Sequence, residues 1–170
     1  LEVSNNELKP MILEDLKLLK KQDKERDNLL MVAIKNKNQE IIDFILDLQT
    51  QHRTLDLNYK NRNGNTALAL ACITNNFDTV KRLVTEFGVD VNLSNANKSS
   101  PLMGSAVVQN VEICELLLNN GAKINAVDNM NRNVLVRLFD NEPTLNSIYI
   151  LQMLLKHNIN IDIQITDKKA

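Results

Sequence analysis

Two thiols, two imidazoles and scattered carboxylates are the side chains of this sequence that could attack a substrate, relay a proton or hold a metal. Cys72 or Cys114 with His52 or His157 would make a thiol nucleophile and its base. Each Cys, however, falls in an apolar run, at the small slot of one short helix and the core slot of another, while each His falls near a helix end or a loop. Buried structural thiols account for both. The same four residues lack the close spacing of a four-ligand cage, and no C-x-x-C occurs. Glu14 with Asp15, and Glu25 with Asp27, are neighbours that solvated helix faces explain. No G-x-G-x-x-G or G-x-x-x-x-G-K stretch offers a cradle for phosphates. The expectation is a chain with no catalytic residue, no cofactor and no metal.

Bulk properties exclude further classes. Lys and Arg number 20 against 21 Asp and Glu, so a net charge of −1 supplies no basic surface for nucleic acid. The run Lys20 to Asp27 mixes signs, which makes it a poor lipid anchor and reads as a solvated linker or hairpin. No apolar stretch is long enough for direct membrane insertion. Leu1 to Asn6 lack the order of a signal peptide and the Cys are not in a disulfide pattern, so an intracellular, cytoplasmic, reducing location is expected, with delivery into a host cell left open. No initiator Met is present, and the chain reads as a piece of a longer protein. Its 170 residues, 44% apolar, suit one domain with a real core. Asn is conspicuous but scattered, a pattern that codon bias alone would give.

The elements that would position any site follow from self-similarity. Asn58, Asn92 and Asn125 are each followed eight residues later by Thr66, Ser100 or Asn133. Aligned on them are N-G-N-T-A-L-A-L-A-C from Asn63, K-S-S-P-L-M-G-S-A from Lys98 and N-R-N-V-L-V-R-L from Asn131. Thr66 and Ser100 supply N-cap oxygens, and Pro101 stands where a missing N–H is harmless. Leu68, Ala71 and Cys72, then Val80, Leu83 and Val84, recur at i, i+3 and i+4, giving each short helix one apolar stripe. Gly88 and Gly121 end second helices, and Gly64 or an Asn serves the hairpin turn. Met31, Met103 and Met153 fall at core positions; Met130 falls at a hairpin tip.

The period and these residues, with Leu116 to Ala126 as second helix, glycine turn and hairpin entry, resemble the ankyrin repeat family over roughly residues 22 to 165. The Thr-Pro-Leu-His box survives in part, its His replaced by Met31, Ala69, Met103 and Val136. The resemblance implies an all-α solenoid of about four helix-turn-helix repeats, near 28–58, 59–92, 93–125 and 126–162, with short β-hairpin connections. Residues 1–27 would be an N-terminal capping helix or degenerate repeat, the helix lying at 10 to 21. Ile159, Ile161, Ile163 and Ile165 alternate like a hairpin, and 166–170 would begin a truncated repeat. Extra residues at 47 to 54 and 141 to 147 are expected as loops. Arg137 and Asp140 among apolar neighbours mark the last repeat as the weak one.

The resemblance further implies a binding module that holds a protein or peptide partner on its concave face; its oligomeric state is left open, and a monomer is the expectation. Carried over by position, the hairpin residues are Arg62, Asn63, Asn65, Asn97, Met130 and Arg132, and the first-helix residues are Ile73, Thr74, Val107 and Val108. Ile73, Val107, Val108 and Met130 would be the apolar anchors, with Arg62 and Arg132 as flanking charges. The alternatives are a regulatory or substrate-recruiting domain of a larger enzyme, channel or secreted effector, and a structural spacer.

Overall fold

Short polar residues set where helices begin. In the computed structural model, which describes residues 4–161, nine α-helices lie among the described residues, and each follows a Ser, Thr or Asn. They are α1 (Asn5–Glu14), α2 (Leu29–Lys35), α3 (Gln39–His52), α4 (Ala67–Ile73), α5 (Phe77–Thr85), α6 (Pro101–Val107), α7 (Val111–Asn119), α8 (Val134–Leu138) and α9 (Leu145–Lys156), with a 3-10 turn at Leu16–Lys20. In α2 to α8 the side chain of the preceding residue accepts a free N–H of the first turn, as Asn76 does from Thr79 at 3.1 Å. Left-handed residues Lys37, Asn75 and Gln109 then hand α2, α4 and α6 on to the caps of α3, α5 and α7.

The result is the expected all-α solenoid. Helices α2, α4, α6 and α8 form an inner row, each touching the next; α3, α5, α7 and α9 back them, and α1 lies against α3. An outer helix is covered on one side, so α5 buries only Thr79, Val80, Leu83 and Val84. The inner helix α4 departs from the single-stripe expectation, burying six consecutive residues, Ala67 to Cys72, because it is enclosed by α2, α5 and α6 at once. Only its last residue, Ile73, emerges.

The connections are fingers rather than β-hairpins, and the reason is chemical. In each finger one side chain, on Asp23, Asn61, Asn95 or Asp128, accepts the N–H groups two and four residues ahead, so the donors that a strand ladder would use are taken. One backbone bond closes each base, such as Asn61 N–H to Asn65 O at 3.0 Å, and the isolated bridge Gln22–Asn28 is the sole β-pairing among the described residues. The tips turn through left-handed Arg26, Gly64, Lys98 and Asn131. Successive fingers are tied through the main chain, where Arg62 N–H donates to Glu25 O, Ala96 N–H to Asn63 O and Asn129 N–H to Asn97 O at 2.8, 3.0 and 2.9 Å. Side-chain amides tie them too, as Asn61 donates to Asp27, Asn95 to Asn65 and Asn129 to the Ala96 carbonyl.

The asparagines therefore have structural work that codon bias does not explain. Of 25 in the chain, some cap helices and some hold fingers. Asn58, Asn92 and Asn125 accept the backbone N–H of Asp90, Lys123 and Asn160 in the following repeat, at 3.1, 2.7 and 2.7 Å.

Three other expectations are corrected. The N-terminal helix is α1, at Asn5–Glu14 rather than 10 to 21; Asp15 breaks it, its side chain accepting Lys17 N–H to start the 3-10 turn. The insertion at 47 to 54 is mostly helix, since Leu48 and Gln49 continue the buried face of α3 and Gln49 clamps both the N–H and the carbonyl of Leu55 at 2.9 Å. Asp27, expected on a solvated face, is buried, paired with Lys35 and bonded by Asn61. At the other end Ile159 is buried and Ile161 exposed, while Ile163, Ile165 and the segment 166–170 lie outside the described residues.

Candidate functional site

The last residues of the inner helices and the flanks of the fingers leave one trough between them. A groove of about 410 Å³ is lined by Ile73, Gly104, Val107 and Val108 on the helix side and by Asn65, Asn97, Ser99, Met130 and Arg132 on the finger side. Its floor exists because Gly104 lets α4 and α6 close together: a Cβ there would lie 2.9 Å from the Cγ2 of Ile73. Ile73 keeps 48% of its surface in solvent and Met130 keeps 63%, whereas Val107 and Val108 are half-buried.

Seven of the ten residues expected at a site thus share one groove: Asn65, Ile73, Asn97, Val107, Val108, Met130 and Arg132. Arg62, Asn63 and Thr74 do not line it. Thr74 is turned back on its own helix, its hydroxyl donating to the carbonyls of Leu70 and Ala71. Arg62 and Asn63 stand exposed on the second finger, and Arg62 makes no ion pair among the described residues.

The charges at the groove's end are mutually occupied. Arg132 binds Asp128 at 2.8 Å and reaches Asp140 at 3.4 Å, while Arg137 meets the other oxygen of Asp140 at 2.7 Å. Burial would raise the Asp128 carboxyl, but the backbone N–H and guanidinium of Arg132 and the N–H of Met130 outweigh it and hold it below the ordinary carboxylate value. Arg132 is therefore one of four charges in a neutral cluster, and the groove offers an apolar floor with a charge-balanced rim. The Nε of Arg137 is buried there without a partner.

Sequence reasoning missed Gly104, Asn95, Asp128 and Arg137 as groove residues. Spacing holds the signal for two of them, since Asn61, Asn95 and Asp128 recur at one finger position. Two clefts of similar size, about 460 and 470 Å³, flank Arg53 to Asn58 on other elements. Among the described residues no group of His, Cys, Asp or Glu could hold a metal, and no helix is long and apolar enough to cross a membrane. Cys72 and Cys114 are free and buried.

Comparison with known proteins places this geometry. A family model for ankyrin repeats in three copies matches residues 3–95 and 75–167. An ankyrin repeat protein of fowlpox virus is 31% identical over 81% of this chain and 40% of its own length. An I-Kappa-B like protein of Microplitis demolitor bracovirus is 35% identical over 40% of this chain and 38% of its own. The human transient receptor potential cation channel subfamily A member 1 is 24% identical over 58% of this chain and 12% of its own. The chain spans less than half the length of each of these relatives. With fingers, paired helix rows and matched residues in agreement, the chain belongs to the ankyrin repeat family.

Proposed function

We propose that this chain is a non-catalytic module that holds a protein or peptide segment in the finger groove. Ankyrin repeats are generally protein-interaction modules. The observation that supports this location is the exposure of Ile73 and Met130 on either side of one trough, where a partner can desolvate both together. Because Arg132 and Arg137 are already balanced by Asp128 and Asp140, the favoured segment is apolar at its centre and carries no large net charge.

Peptides selected from a displayed random library on the immobilised chain test the reading. Ile73→Asp and Met130→Asp are expected to cost about 2 kcal/mol of binding each, measured by calorimetry, with little loss of folding stability. Glu115→Ala, exposed on α7, is the control. Unchanged affinity in both Asp variants overturns the groove, and the clefts beside Arg53 become the place to look.

A second reading is that the module regulates or recruits for a larger protein. It is favoured by a cation channel and a Schizosaccharomyces pombe palmitoyltransferase among the similar proteins, of which this chain covers 12% and 10%. The full open reading frame decides between the two.

A further inference from the structure

Two asparagines in the chain precede glycine, Asn63 and Asn120. Asn-Gly is the dipeptide in which a side-chain carboxamide is least shielded from the next backbone nitrogen, because glycine brings no Cβ into the approach. The two sites differ in what holds the carboxamide. Asn120 follows α7, and its Nδ2 donates to the Leu116 carbonyl at 2.8 Å. Asn63 is exposed on the second finger, and its carboxamide has no partner among the described residues. The glycine beside it is obligatory: Gly64 is left-handed at φ +75°, and a Cβ there would lie 2.6 Å from the Ala96 nitrogen of the next finger. The fold thus keeps an untethered carboxamide next to the one residue type that leaves it open to attack.

We propose that Asn63 is a site of spontaneous covalent modification, converting to an aspartyl or isoaspartyl residue. The Gly64 N–H loses its proton to solvent base and the nitrogen attacks Asn63 Cγ. The new N–Cγ bond forms as Cγ–Nδ2 breaks, ammonia leaves, and a succinimide ring results. Water opens the ring at either carbonyl, leaving one new carboxylate and, in the iso form, an extra methylene in the main chain. Water is the only co-reactant. Gly64 N–H donates to Asn61 O at 2.9 Å, so attack waits on a transient opening of the tip, a local event at a solvent-facing turn.

The modification stands independently of the groove reading, but it falls on a joint. The Asn63 carbonyl accepts the Ala96 N–H at 3.0 Å, the main-chain tie between the second and third fingers. The iso form displaces that carbonyl, and both forms place a carboxylate beside Arg62. Any effect on a bound partner rests on the proposed function.

The test is peptide mapping by mass spectrometry of the folded chain, held in mildly alkaline buffer at physiological temperature, beside the same chain in urea. In the folded chain, residue 63 is expected to convert several-fold faster than residue 120, while in urea the two converge. The Asn63→Gln variant should lose the fast product, and Ala96 amide exchange should quicken as the iso form accumulates. Residue 63 staying intact in the folded chain while converting in urea overturns the proposal, as does equal conversion at 120. The comparison within the unaltered chain keeps the result readable if the variant folds poorly.

Discussion

Burial disarms both thiols. It lifts Cys72 far beyond the usual thiol range, with Cys114 nearby adding to the shift, and raises Cys114 to about 11 against the opposing contact with Ser105 at 3.2 Å. A thiol-alkylating reagent at neutral pH should therefore modify neither residue in the folded chain, and its rate should rise with denaturant in step with unfolding; fast labelling without denaturant would contradict the buried placement. Glycines at two close approaches behave differently for an equally local reason. Gly64→Ala is expected to lose about 1–3 kcal/mol in urea unfolding, because backbone strain coincides with a collision against backbone. Gly104→Ala should lose less, since Gly104 is not left-handed and the atom in its way is a side-chain methyl, Ile73 Cγ2 at 2.9 Å, rather than backbone.

Helices and fingers are held by small polar side chains more than by intrinsic propensity. Asn76→Ala, which removes the cap of α5, and Asn92→Ala, which removes an acceptor for Lys123 and a donor to Gly121, should each cost about 1 kcal/mol in chemical denaturation. The last finger carries a charge where two others carry an amide. Because the Asp128 carboxyl is held below its ordinary value in the folded chain, its contribution is present above the unfolded value and is lost as pH falls through the lower folded one. Exchange of the Met130 and Arg132 amides should quicken through that acid window, and an Asp128→Asn variant should show no such step. Caps, glycine turns and the repeat register were legible in the sequence because each depends on a few neighbouring residues. The finger bonds were not: Asn61 reads as a loop residue until its Oδ1 is seen to accept two N–H groups ahead of it, and Asp27 reads as solvated until Lys35 and Asn61 are folded against it. Groove residues carried over by position fell together where backbone alone places them, as for Ile73 and Met130. Thr74 fell away because its own hydroxyl found the helix behind it.

Across the whole array, stability is a sum of unit and interface contributions, so uneven units give uneven protection. The last inner helix, α8, has five residues, and Phe139, Leu145, Ile148, Tyr149 and Leu155 around it are exposed, whereas α4 buries every residue but its last. Amide exchange in residues 134 to 157 should accordingly be faster than in 67 to 86; equal protection in the two segments would show that the array unfolds as one unit. The ties between fingers bear on how such a surface changes over generations. One bond of each tie uses main-chain atoms only, and its three donating positions already hold an arginine, an alanine and an asparagine without loss of that bond. Mutation can therefore rewrite the outward chemistry at 62 and 96 while that backbone bond stays the same, whereas a change at 129 also removes the side-chain bond to the Ala96 carbonyl. What the surface recognises can drift quickly on a frame that drifts slowly, with Gly64 as the fixed point that the drift must go around.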